Sequence, residues 1–100
     1  MKIDRLLSFL GLCKRAGRLT SGAQTVTNTV NEGKARLVLY AGDVSEKSLR
    51  KTLAAAQEMK VPVLRLPCEK EELSFALGKH CGIICITDDG FAGKIPELIN

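Results

Sequence analysis

Two short runs of the chain, Leu37-Val38-Leu39-Tyr40 and Ile83-Ile84-Cys85-Ile86, are apolar at every position rather than at alternate ones. A strand of that kind has no face to offer water, so it must be covered on both sides. Neither run approaches the roughly 20 apolar residues of a membrane span, so the cover must come from the rest of the chain. Helical periodicities lie between and around these runs, and the alternation predicts a three-layer α/β/α sandwich with a mostly parallel sheet. One hundred residues suffice for one such domain, residues 1–100, and are too few for two.

The first periodicity places Ile3, Leu6, Leu7, Leu10 and Cys13 on one stripe over residues 3–15, with Lys14 and Arg15 in the last turn and Gly17 as a stop. Arg18-Leu19-Thr20 reads as a short edge strand. Ser21-Gly22-Ala23-Gln24 has capping-box spacing, with Ser21 as N-cap of a helix that carries Ala23, Val26, Thr27 and Val30 and ends near Gly33. A strand follows over Ala35 to Ala41, then a helix capped by Ser45 with Leu49, Leu53, Ala56 and Met59 on one face. Val61 to Leu66 is the next strand, with Pro62 at its start, and Glu69 to Leu77 is a helix stopped by Gly78. After Ile83-Ile84-Cys85-Ile86, Asp88 or Asp89 caps a last helix that buries Phe91, Ile95, Leu98 and Ile99, and Pro96 is expected to kink or split it.

Several kinds of chemistry lack their residues. No G-x-x-x-x-G-K-[ST] or G-x-G-x-x-G is present, so nucleotide cradling has no support. The cysteines, Cys13, Cys68, Cys81 and Cys85, form no C-x-x-C, and the single histidine, His80, adjoins Cys81 on a segment where neighbours point apart. Cys13 and Cys85 read as core thiols; Cys81 and Cys85 share a face if their segment is a strand. Asp88 and Asp89 with Asp43 have the chemistry to hold magnesium, but without a nucleophile or a phosphate loop helix capping for Asp88 and Asp89 and a turn for Asp43 account for them better. No catalytic residue, metal or cofactor is therefore expected. With 4% aromatic residues and no Trp, an aromatic platform for single-stranded nucleic acid is not expected either. Lys2, Asp4 and Arg5 precede an amphipathic stretch without a small-residue cleavage site, so the expected location is cytoplasmic, with no membrane association.

Charge is placed unevenly. Residues 1–36 hold Lys2, Arg5, Lys14, Arg15, Arg18, Lys34 and Arg36 against Asp4 and Glu32, and the remainder is slightly acidic within a total of +4. A basic third on a near-neutral body suggests a polyanion-binding face, although scattered surface cations give the same count. The helix start at Gly22 adds a local reason: free backbone N–H groups and the helix dipole attract phosphate. Gly22 lets a nucleic-acid backbone come close, and Gln24 can donate to and accept from a base edge. A capping box for Gln24 and a plain loop-to-helix junction for Gly22 stand as alternatives. Lys14, Arg15, Arg18, Lys34 and Arg36 would supply the salt-dependent attraction.

Six segments then fall in order: Leu10-Gly11-Leu12, Ser21-Gly22, Ala35-Arg36-Leu37-Val38-Leu39, Val61-Pro62-Val63, Leu73 through Gly78, and Thr87-Asp88-Asp89-Gly90-Phe91-Ala92. As a set they resemble the L7Ae/L30e superfamily of ribosomal and kink-turn RNA-binding proteins over essentially the whole chain, most closely its bacterial YlxQ-type branch. The resemblance implies a central four-stranded mixed sheet with Arg18-Leu19-Thr20 as its antiparallel strand. It also implies a second helix whose start docks at the bend of a kink-turn, and a later loop that covers flipped-out bases. The family's Gly-x-Asn-Glu falls on Gly22, Ala23, Gln24 and Thr25, with Asn28 where many members have Lys. The acid after the second strand falls on Asp43, the base-covering loop on Lys79, His80 and Cys81, and Ser74 replaces a common Gly.

The function so implied is that of a non-catalytic, ribosomal-type RNA-binding protein. Its expected contacts are Arg18, Ser21, Gly22, Gln24, Thr25, Asn28, Lys34, Arg36, Asp43, Lys79 and His80. The expected partner is structured RNA, ribosomal RNA among the candidates, bound by a monomer with no role for DNA. A protein-interaction module on the same fold, favoured by Thr25 and Asn28, is the alternative.

Overall fold

The computed structural model describes residues 2–99, with elements in the order α1 (Lys2–Arg15), β1 (Leu19–Ser21), α2 (Ala23–Asn31), β2 (Leu37–Tyr40), α3 (Glu46–Glu58), β3 (Val63–Arg65), α4 (Lys70–Leu77), β4 (Ile83–Ile86) and α5 (Asp89–Ile99). The four strands form one sheet in the order β1-β4-β2-β3. It is mixed: β4 pairs antiparallel with β1 (Thr20↔Cys85) and with β2 (Val38↔Cys85), and β2 pairs parallel with β3 (Leu39↔Leu64). The mostly parallel sheet expected from the apolar runs is thus corrected. β1 is antiparallel to its neighbour, as the resemblance implies, but the strand reversed against all the others is β4. Apolar periodicity reports burial and carries no information on strand direction.

The fully apolar strands are sandwiched as expected. Leu37, Leu39, Ile84 and Ile86 join Leu6, Leu10 and Cys13 of α1, Leu73 and Leu77 of α4 and Ile95 of α5 in one core. Val38, Ile83 and Cys85 face the other way, onto Val26 and Val30 of α2 and Leu49, Ala55 and Ala56 of α3. Each fully buried Leu or Ile contributes about 1.5–3 kcal/mol relative to exposure, so the aliphatic side chains carry this fold with little aromatic help.

Two helix faces, and the course of a third helix, differ from expectation. On α3 the buried stripe is Leu49, Thr52, Ala55 and Ala56, while Leu53 and Met59 are exposed. Thr52 occupies the core because its hydroxyl bonds Thr27 Oγ1 of α2 at 2.8 Å. On α2 the buried residues are Val26, Thr29 and Val30, and Ala23 is exposed; the Thr29 hydroxyl donates to the Thr25 carbonyl at 2.8 Å. α5 runs unbroken through Pro96, so the proline costs one backbone bond and does not split the helix.

The third strand is shorter than expected. Pro62 lies just outside it, its carbonyl accepting from the Val38 amide at 2.9 Å. Cys81 lies outside β4, and its side chain packs in the α1/α4/α5 core while Cys85 packs against α2 and α3. The shared face expected for the two cysteines is therefore absent. No described helix is long and apolar enough to cross a membrane.

Candidate nucleic-acid interface

The reversal of β4 builds one rim of the sheet. Because β4 is antiparallel to β1 and β2, its start lies beside their ends, with Ser21 opposite Ile84 and Tyr40 opposite Ile83. The Gly22 amide donates to the Ile83 carbonyl and the Ala41 amide to the Gly82 carbonyl, both at 2.9 Å. The start of α2, the start of α3 and the turn between α4 and β4 therefore meet around a cleft of about 330 Å³. Gly22, Ala23, Ser45, Ser48, Lys70 and His80 contribute to its lining.

At this rim α2 begins without a cap. Gly22, at φ 97°, ψ 135°, is the N-cap residue and makes no side-chain hydrogen bond to the helix. That conformation is open to glycine and strained for other residues, whereas the space around its Cα is empty. Ser21 is the last residue of β1, so the expected capping box does not form. Gln24 Nε2 instead donates to Asn28 Oδ1 at 3.0 Å, one turn on. The first helical backbone bond is Val26 to the Gly22 carbonyl, and the first turn has no acidic residue. The amides of Ala23, Gln24 and Thr25 thus lie at an open, positive helix end on exposed residues. The Gln24–Asn28 pair leaves one amide oxygen and further N–H groups for a base edge.

Across the cleft, the α4–β4 turn is tied down at several points. Gly78 takes the left-handed conformation at φ 69°, and the Lys79 amide donates to the Ser74 carbonyl at 3.2 Å. Ser74 Oγ accepts from the Cys81 amide at 3.0 Å and donates to the Cys81 carbonyl at 3.1 Å. The Lys14 ammonium donates to the Leu77 carbonyl. Lys79 and His80 remain exposed. Lys70 is a cation that sequence reasoning missed: its methylenes lie where a Cβ on Gly82 would come within 3.0 Å of them. A glycine opening an apolar strand run was the available signal, since such positions admit close approach by another group.

The expected cations are divided among different places. Arg18 precedes β1 and Arg36 precedes β2, so with Lys34 they gather at the opposite rim, beside the carboxyl end of α2, around Thr20, Thr29 and Thr87. Nine helical residues separate the two ends of α2, a rise of about 13 Å. Lys34 there approaches Glu32 at 3.7 Å and Arg36 approaches Asp89 at 3.4 Å. Lys14 and Arg15 belong to α1, in the other helical layer. The single cationic face around the start of α2 inferred from the N-terminal third is thereby corrected: Arg18, Lys34 and Arg36 sit where β1 and β2 begin, whereas Gly22 lies where β1 ends.

Asp43 and Asp88 have structural partners. Asp43 Oδ1 accepts from the Lys70 amide at 2.7 Å, capping α4 rather than only making a turn, and it lines a neighbouring groove with Arg65 and Glu72, not the cleft. Asp88 Oδ2 accepts from the Phe91 amide at 2.9 Å, which makes it the cap expected for α5. Among the described residues no cluster of His, Cys, Asp and Glu could hold a metal ion. All four cysteines are free and buried. Burial pushes the thiols of Cys13 and Cys68 up to about 11, and those of Cys81 and Cys85 in the same direction. They persist as thiols, poor nucleophiles, at neutral pH.

Comparison with known proteins gives concordant results. Residues 4–95 match the family described as ribosomal protein L7Ae/L30e/S12e/Gadd45. An RNA-binding protein YlxQ of Enterococcus faecium is 33% identical over 96 residues, covering 96% of this chain and 92% of that protein. An RNA-binding protein YlxQ of Bacillus subtilis (strain 168) is 30% identical over 92 residues, covering 91% of each. Among solved structures, a protein of unknown function from Bacillus halodurans C has a TM-score of 0.85 at 33% identity, covering 94% of this chain and 95% of that one. The Giardia lamblia 15.5kD RNA binding protein has a TM-score of 0.73 at 23% identity, covering 94% of this chain and 81% of that one, and shares the fold.

Proposed function

Since the chain belongs to the ribosomal protein L7Ae/L30e/S12e/Gadd45 family, we propose that it is a non-catalytic RNA-binding protein that recognises a bent, kink-turn-like element of structured RNA. One observation carries this reading. The uncapped start of α2 and the exposed Lys79-His80 turn flank one cleft, with Lys70 in its lining. Proteins read RNA chiefly through its shape and its splayed bases, and a positive helix end beside a small cleft suits a sharply turned phosphate chain with an extruded base.

In this reading Gly22 and the amides of Ala23 to Thr25 hold the backbone at the bend. Gln24 and Asn28 meet base edges, and the hydroxyls of Ser21 and Thr25 add donors. Lys70, Lys79 and His80 border the extruded base, while Asp43 acts from outside the cleft by anchoring Lys70. Arg18, Lys34 and Arg36 steer phosphates from the other rim. The names of the two YlxQ relatives support RNA as the partner. The cytoplasm, a monomeric state and ribosomal RNA as one target belong to the same proposal.

A filter-binding titration against a kink-turn RNA and a matched duplex, each at two salt concentrations, tests it. Binding tighter to the bent RNA and weakening with salt is expected, and Gln24→Ala is expected to lose more on the bent RNA than on the duplex. Equal loss on both would remove Gln24 as a reader. Phe75, 90% exposed on α4, joins Thr25 and Asn28 in favouring the protein-interaction alternative; no binding to either RNA at low salt would select it.

A further inference from the structure

Cys81 is buried, so its backbone N–H and C=O both need partners inside the protein. One hydroxyl serves both: Ser74 Oγ accepts from the amide at 3.0 Å and donates to the carbonyl at 3.1 Å. The Ser74 carbonyl also accepts from the Lys79 amide. A single residue in the last turns of α4 therefore holds the chain that follows at both of its shoulders. Between those points lie Lys79 and His80, whose side chains are exposed. Beyond them, the Gly82 carbonyl accepts from the amide of Ala41, just past β2, and the Ile83 carbonyl from that of Gly22.

We propose that Ser74 is a positioning residue for the RNA site: its hydroxyl holds the α4–β4 turn in the binding conformation before RNA arrives. The inference rests on the RNA-binding reading above. A turn already ordered in the free protein spares the complex the cost of ordering it, which tightens binding without a new contact. An alanine here removes both hydroxyl bonds and leaves two buried backbone groups of Cys81 unpaired, or lets the turn swing out to water.

Amide hydrogen exchange and RNA titration together test this on the full-length protein. In the wild-type protein free of RNA, the Cys81 amide is expected to be protected already; protection that arises only on adding kink-turn RNA would overturn the proposal. Ser74→Ala is expected to speed Cys81 exchange and to weaken kink-turn binding about tenfold, the size expected for losing one to two ordinary hydrogen bonds. Ser74→Thr, which keeps the hydroxyl, is expected to restore both. If the wild-type protein binds the RNA and Ser74→Ala binds equally well, or if threonine restores neither readout, the positioning role fails and the RNA reading survives. If the wild-type protein does not bind, the RNA reading itself fails and the positioning role falls with it.

Discussion

In the proposed RNA site, Thr25 and Asn28 set how firmly the amino end of α2 grips, because both are exposed beside Gln24 and neither is charged. A glutamate at Thr25 would add a charge-assisted acceptor for guanine edges, worth about 1.5–3 kcal/mol. Thr25→Glu is therefore expected to tighten kink-turn binding by about tenfold or more. It also places an acid in the first turn, where about 0.3–1 kcal/mol of added stability is expected. Asn28→Lys is expected to steepen the dependence of log affinity on log salt by about one unit, one phosphate contact's share. Titrations across a salt series read both effects. An unchanged affinity for Thr25→Glu would mean that this helix start does not face a guanine edge.

At the scale of the element, α4 depends on a residue from elsewhere in the chain. Asp43, three residues past β2, caps its first amide at 2.7 Å, and Glu72 accepts from the Glu69 amide at 3.0 Å. Asp43→Ala is expected to cost about 1 kcal/mol in urea unfolding and Asp43→Asn much less, since the amide keeps an acceptor. Ala and Asn costing the same would show that charge rather than the hydrogen bond matters there. The helices and the two doubly apolar strands were legible in the sequence because periodicity reports burial directly. Strand direction was not legible in the periodicity and came only from the resemblance, which implied a mixed sheet; the placement of the cations was lost with it, since Arg18 and Arg36 precede their strands while Gly22 and Asp43 follow them. Thr52 was hidden for a different reason. A threonine satisfied by another threonine across a helix seam looks polar in sequence and behaves as core. Lys70 and Ser74 were not read as site residues because the roles proposed for them depend on Gly82 and Cys81, which the folded turn brings alongside.

At the scale of the whole molecule, four buried thiols make stability sensitive to alkali. The unfolded thiols titrate near 9, whereas folded Cys13 and Cys68 keep their protons to about 11. Above pH 9 the unfolded chain therefore binds fewer protons than the folded one, and stability falls as pH rises toward 11. Below pH 9 the contribution is complete. Urea midpoints measured from pH 8 to 11 are expected to decline through that window; a flat profile would mean the thiols are open to solvent when folded.

The bond from the Gly22 amide to the Ile83 carbonyl continues the ladder between β1 and β4, and β1 is an edge strand of three residues. Short edge ladders fray at far smaller free energies than a core melts. The helix start and the turn opposite are therefore joined at one of the two short edges of the sheet. If RNA binds where proposed, the lifetime of its intact docking surface is expected to follow that local opening, with grip lost while most of the interior is still folded.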